Sequence, residues 1–392
     1  MSVSRRTFVS RCSAALGVIS LRPTLSAWTE PRGATQAARP PRPAAAEYDK
    51  ILKLSANENP YGPSEAVMKA MTDGLKYAHR YGAPDGGLVE AIAAHHGVKP
   101  ENVLVGAGSG EILDVVGTTY LEGGRRVLGF DPTYNSVYQH ATTVKSEGIK
   151  LPLRDDYSQD VGALVAAART HYRDIGFVYL CNPNNPTGMV VRKNEVKQLL
   201  DGLPPDVPVL IDEAYHHFVT DPGYATAIPY VLEGRQIVVS RTFSKIAALA
   251  GMRLGYGIAP KEMIDHMRPH ATGSINTAVR WAGVAALADT ATQTQVRTQN
   301  AEARKTTAAA LEALGYHVLP SETNFFMVDI RREVVPVIGA FRARGIAVGR
   351  PFPPMTKHLR VSIGTAAEMS QFLDCFADLV RPQKATAGDA HA

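Results

Sequence analysis

Between residues 102 and 240, short apolar runs alternate with longer amphipathic stretches, and this alternation constrains the fold more than any other feature. NVLVG (102–106), RRVLGF (125–130), FVYLC (177–181), VPVLID (207–212) and QIVVS (236–240) read as buried strands. EILDVVGTTYL (111–121) and RKNEVKQLLDGL (192–203) carry helical spacing between them. Strand and helix in alternation predict a mostly parallel sheet covered on both faces, with functional loops at the carboxyl ends of the strands. After Ile275 the pattern changes. Residues 278–314, rich in Ala, Gln and Thr, should be helical, and YHVLP, NFFMVDI and HLRVSIGT suggest a smaller sheet. The expected class is therefore α/β, with a large domain built on a mostly parallel central sheet and a smaller α+β domain. Residues 76–275 should form the large domain and 276–385 the small one, joined by 47–75, with 386–392 as a tail.

Composition excludes several functions. The formal charge is +5, but residues 1–50 hold eight Lys and Arg against three acids, so they account for all of it. The rest of the chain is neutral, without the basic domain that nucleic acid requires. Cys12, Cys181 and Cys375 form neither a disulfide framework nor a CxxC metal pattern. His95-His96 and His216-His217 are adjacent pairs, which on a helix do not face one site, so they read as surface or structural. No metal is expected.

Five strand-end loops carry chemistry. GAGSGE (106–111) follows a strand and opens a helix, where exposed amides favour a phosphate; a tight turn is the plain alternative. Glu111 stands where a dinucleotide fingerprint needs glycine. FDPTY (130–134) places Tyr134 on a loop, where its ring could stack on a planar ligand or simply pack. CNPNNPTG (181–188) offers Asn side chains that either cap backbone groups or meet a ligand oxygen. VPVLIDEAY (207–215) ends a strand in Asp212 and Glu213, but no GxxxxGK[ST] accompanies it, which argues against an ATPase. RTFSKIAALAGMR (241–253) supplies Lys245 and Arg253. A phosphate cradle, a stacking ring, an amide, an acid and a lysine are together the parts that hold pyridoxal phosphate.

NENPYGPS (57–64), HRYG (79–82), GAGSGEIL, DPTY, NPNNPTG, IDEAY, RTFSKIAALAGMRLGY, ETNFF (322–326) and LRVSIGT (359–365) occur in this order. In this series the chain resembles the pyridoxal-phosphate-dependent aminotransferases of fold type I, most nearly the histidinol-phosphate aminotransferase-like group. The resemblance implies that Lys245 forms a Schiff base with the cofactor aldehyde and that Asp212 pairs with the ring nitrogen. It implies that Asn185 and Tyr215 bond the phenolic oxygen, and that Tyr134 stacks on the ring. Ser109, Gly110, Thr242 and Arg253 would hold the phosphate, joined by Tyr81 from a neighbouring subunit in a homodimer with shared active sites. Arg360 would clamp the substrate's anion, in a pocket bounded by Tyr61, Asn324 and Arg350. The expected reaction is ping-pong amino transfer from an amino acid, or a histidinol phosphate-like amine, to a 2-oxo acid. A decarboxylase or lyase on the same fold, and a non-catalytic pyridoxal-phosphate binder, are the alternatives. Gly110 stands where the group usually carries an acid, and VGRPFPPMTKH (348–358) departs from its usual sequence beside the pocket.

The leader resembles a twin-arginine export signal. MSVSRRTFVSRCSAALGVISL has Ser-Arg-Arg-x-Phe followed by a modestly apolar run, Ser13 to Leu21, too short to span a membrane. Residues 1–28 are read as the signal and 29–46, rich in Pro, Ala and Arg, as a linker; a disordered basic tail is the alternative. A periplasmic or secreted location is expected, with membrane contact only during export; a cytoplasmic location is the alternative. Twin-arginine substrates cross folded, which suits an enzyme loaded with its cofactor beforehand. Replacing Arg5 and Arg6 by lysine should leave the protein in the cytoplasm; cell fractionation showing unchanged export would remove this role.

Overall fold

A computed structural model describes residues 44–380; the leader, most of the linker and the tail lie outside them. By its contacts the chain divides after Tyr48. Of the first unit, the described part holds one short helix, Ala45–Tyr48, which takes in the last two residues read as linker. All that follows concerns the second unit.

Among the described residues, twelve strands form three sheets. They are β1 (Leu52–Leu54), β2 (Val103–Gly106), β3 (Arg126–Asp131), β4 (Gly148–Pro152), β5 (Ile175–Cys181) and β6 (Val209–Asp212), then β7 (Ile237–Thr242), β8 (Gly255–Ile258), β9 (His317–Val318), β10 (Phe325–Asp329), β11 (Ile346–Val348) and β12 (His358–Ser362). The large sheet runs β2-β8-β7-β6-β5-β3-β4. Strands β4, β3, β5, β6 and β7 run parallel to one another, and β8 runs against both β7 and β2. The five apolar runs are β2, β3, β5, β6 and β7, each within two or three residues of its expected bounds.

Alternate residues of these strands feed two separate cores, because successive side chains of a strand point to opposite faces. Val178, Leu180, Val209, Ile211, Ile237 and Val239 pack on one face. Phe177, Tyr179, Cys181, Leu210 and Val238 pack on the other, with Ile112 and Val116 of the helix Ser109–Tyr120. A third core belongs to the C-terminal part: Phe326, Val328, Leu359 and Val361 of β10 and β12 lie against Phe341, Phe372 and Phe376. Strand β1 joins this core through Leu54 and pairs in parallel with β11, Leu52 against Ile346. Strand β1 therefore completes the smaller lobe.

The stretch 278–314 is two helices, Thr277–Ala288 and Thr290–Ala313. The break falls at Asp289, whose carboxylate accepts from Thr292 N and starts the second helix. Strands β1, β4, β8 and β11 escaped the sequence reading. Strand β8 is GYGI, and its glycines hide the strand signal; a Cβ on Gly257 would press on Ile112.

Gly176 on β5 lies where a Cβ would run into the Tyr120 carbonyl oxygen. Gly176→Ala should destabilise the protein by about 2–3 kcal/mol through forced backbone movement, read as a lowered Tm.

Candidate active site

The carboxyl ends of β2, β3, β5, β6 and β7 open on one cavity of about 290 Å3. Ser109, Gly110, Tyr134, Asn185, Asp212, Tyr215, Thr242, Lys245, Arg253, Arg350 and Arg360 all line it. They come from chain segments up to 251 residues apart, from Ser109 to Arg360, and only the fold brings them together.

At one end is an anion cradle. Ser109 and Gly110 are the first residues of the helix Ser109–Tyr120, so its unpaired amides and positive dipole end face the cavity. The preceding Gly108 is left-handed (φ 86°), and a Cβ there would strike the Arg253 guanidinium. A Cβ on Gly255 would likewise strike Ser109 N. Arg253 is held by Ser244 Oγ (3.3 Å) and the Ala250 carbonyl (3.1 Å). Glu111 closes the loop by accepting from Ala107 N (2.6 Å) and Thr272, which gives that acid a structural role.

At the centre stand Asp212 and Lys245. Asp212 is 2% exposed, and burial pushes its carboxyl up to about 7, opposed by the Ala214 amide. Lys245 donates to the Ala56 carbonyl at 3.0 Å. Burial, then the Arg360 and Arg253 charges, bring its amine down to about 8, with Glu58 and Asp212 opposing. A lysine so placed is an accessible nucleophile near neutral pH.

Tyr215 Oη accepts from Asn57 Nδ2 (3.0 Å) and Asn185 Nδ2 (3.4 Å). Arg360 donates to Asn185 Oδ1 (2.6 Å) and to the Ser55 carbonyl (2.6 Å), which fixes the Asn185 amide with its NH2 toward Tyr215. Arg360 is buried, forms no ion pair among the described residues, and leaves Nε without a partner. Its guanidinium lies 4.7 Å from the Phe352 ring centre, and that of Arg350 lies 4.3 Å from the same ring. The divergent stretch 348–358 thus contributes a cation and an aromatic ring directly to the cavity.

In CNPNNPTG both readings hold, on different residues. Asn182 exchanges two bonds with the Val191 backbone, and Asn184 bonds Thr133, Thr187 and the Pro132 carbonyl. Asn185 faces the cavity.

Three expected residues lie elsewhere. Asn324 is buried against the carbonyls of Asn57 and Glu58, and with Tyr61 borders a separate small hollow beside Phe218 and Val296. Tyr81 is fully exposed and borders a surface depression with Asn276 and Arg280. Asn57, Thr133, Ser244 and Phe352 line the cavity without having been singled out. Asn57 had a signal: it lies in NENPYGPS and is left-handed (φ 56°), a conformation that Asn tolerates.

The His pairs are structural. His96 Nε2 bonds Tyr256 Oη (2.8 Å) and His216 Nδ1 bonds Tyr224 Oη (3.2 Å). Among the described residues, no group of three or more His, Cys, Asp or Glu could hold a metal ion.

The cradle, the buried acid and the softened lysine fit pyridoxal phosphate: amides and Arg253 for its phosphate, Asp212 for its ring nitrogen, Lys245 for its aldehyde. Sheet and site define a pyridoxal-phosphate-dependent enzyme of fold type I. The chain belongs to the aminotransferase class I and II family, which matches residues 49–376, and it is a pyridoxal-phosphate-dependent transaminase. It is 37% identical over 337 residues to a histidinol-phosphate aminotransferase of Moorella thermoacetica, covering 84% of this chain and 86% of that one. A histidinol-phosphate aminotransferase of Nitratidesulfovibrio vulgaris is 34% identical, covering 84% and 89%. In fold it resembles histidinol-phosphate aminotransferase from Sinorhizobium meliloti in complex with pyridoxal-5'-phosphate, with a TM-score of 0.79, 24% identity, and 90% and 98% coverage.

Because the Lys245 ammonium loses its proton near pH 8, the PLP-free protein should take up the cofactor with a rate that rises through that pH. Stopped-flow absorbance across pH 6 to about 10 measures it; a midpoint near that of free lysine, about 10.4, would contradict the depressed value.

Proposed function

We propose that the enzyme moves an amino group in ping-pong fashion from an anionic primary amine, an amino acid or histidinol phosphate-like amine, to a 2-oxo acid. The observation that carries this reading is the single cavity joining Lys245, Asp212 and the two guanidiniums of Arg350 and Arg360. Bound pyridoxal phosphate supplies an aldehyde that captures amines and a ring that accepts electrons from the broken Cα–H bond.

The chain's residues do the rest. Ser109, Gly110, Thr242 and Arg253 would hold the phosphate, Tyr134 would cover the ring, and Asn185 with Tyr215 would meet the phenolic oxygen. Asp212 keeps the ring nitrogen protonated, since an ionised carboxylate out of water strongly favours a cationic partner. Lys245 Nζ would serve as the base that takes the donor's α-proton and, as its ammonium, as the acid that returns it. Its lowered pKa suits both halves of that transfer. Arg360 receives the substrate's anion through its unpaired edge, and Arg350 adds a second charge across Phe352. Phosphate and carboxylate both suit such donors. The names carried by the relatives favour the phosphate, whereas the divergent 348–358 stretch favours a different amine.

The reading extends to a homodimer. Tyr81, wholly exposed in one chain, would reach the phosphate of a second copy's cofactor and complete two shared sites. The SRRxF leader supports export of the folded, loaded enzyme.

A screen of amino acids and histidinol phosphate against the bound cofactor tests the function: the true donor should bleach the visible absorbance and a 2-oxo acid should restore it. No bleaching by any amine would sink the proposal. Lys245→Ala should abolish turnover, and Arg360→Gln should lower kcat/KM by roughly 10- to 100-fold, the loss of one charge-assisted contact.

A further inference from the structure

Two buried hydroxyls lie under the site with no hydrogen-bond partner of full geometry: Tyr179 Oη on β5 and Ser240 Oγ on β7. Both residues are wholly buried. Buried hydroxyls without partners are rare, and each requires a reason.

Strand register supplies one. Asp212 on β6 is paired with Cys181 on one side and with Ser240 on the other. Paired residues of neighbouring strands point to the same face, and Tyr179, two residues before Cys181, shares it. Tyr179 and Cys181 accordingly pack in one core with Leu210 and Val238. The unpartnered hydroxyls therefore border Asp212 from below and from the side. The carboxylate has capacity to spare: Ala214 N reaches Oδ1 at 3.2 Å, whereas an ionised carboxylate accepts about four bonds. Tyr179 already favours the charged form of Asp212, and its own phenol, raised by burial, stays protonated and able to donate. The other ionisable groups around Asp212 are Glu213, Lys245, Tyr134, Tyr215 and Cys181.

We propose that Tyr179 is a positioning residue whose hydroxyl turns onto the Asp212 carboxylate, with Ser240 Oγ as a flanking donor. Together they hold the acid ionised and aimed at the cofactor's ring nitrogen. The last clause rests on the reading of Asp212 given above; the donation itself does not.

The test begins without cofactor. In the full PLP-free chain labelled with 13C-carboxyl aspartate, the Asp212 signal is identified by its loss in Asp212→Asn. Tyr179→Phe, which keeps the ring, should raise the Asp212 titration midpoint by about one pH unit, the size of one charge-assisted hydrogen bond. Ser240→Ala should raise it less. Tyr138→Phe is the control for packing: Tyr138 stacks edge-on against Tyr179, but its hydroxyl bonds the Phe130 carbonyl, so it should lower Tm and leave the midpoint unchanged. An unmoved midpoint in Tyr179→Phe, or an equal shift in Tyr138→Phe, overturns the proposal. In the holoenzyme, the 15N shift of the ring nitrogen should move toward the unprotonated value in Tyr179→Phe. If Asp212→Asn itself leaves that 15N shift unmoved, the assignment of Asp212 to the ring nitrogen fails, while the PLP-free titration still decides the donation.

Discussion

A carboxylate taken out of water must either find a cation or give up its charge, and Asp212 holds the site together because it is placed between those outcomes. Burial raises it to about 7, and burial followed by the Arg360 and Arg253 charges brings Lys245 down to about 8. Neither group is locked in one state near neutral pH. Around them the cavity gathers Arg253, Arg350 and Arg360, so its cations outnumber its one lining acid. Such a cavity attracts a ligand with several negative charges and would repel a cationic one.

A second buried charge pair sits one residue away and has a different purpose. Glu213 and Arg241, both almost wholly buried, form an ion pair at 2.7 Å, and Glu213 also accepts from Ala227 N and Thr226 Oγ1. These bonds tie the end of β6 to the end of β7, the two strands that deliver Asp212 and Thr242. The paired histidines stand near Arg241, and burial followed by its charge lowers the pKa of all four.

The parallel sheet and most of the cofactor side of the site were legible because both are written locally. An apolar run announces β5 or β6 by itself, and a loop such as RTFSK presents its lysine at a strand end whatever the rest of the chain does. What escaped depends on distant partners. Strand β8 is half glycine because close approach, including that of Ser109 N to Gly255, excludes side chains; nothing local marks that. Asn57 acquires its role from Tyr215, Ser362 and Asn324, all far along the chain. Asn324 spends its amide on two backbone carbonyls, and so supports the segment that carries Asn57 instead of lining the cavity.

The pairing of β1 with β11 joins Leu52 to Ile346, so β1 waits for a partner made only after the whole of the large sheet. Until then Leu54 has no lobe to enter, and the loop to be closed spans most of the molecule. Closing the smaller lobe therefore carries a loop-closure cost that the neighbouring strands of the large sheet do not bear.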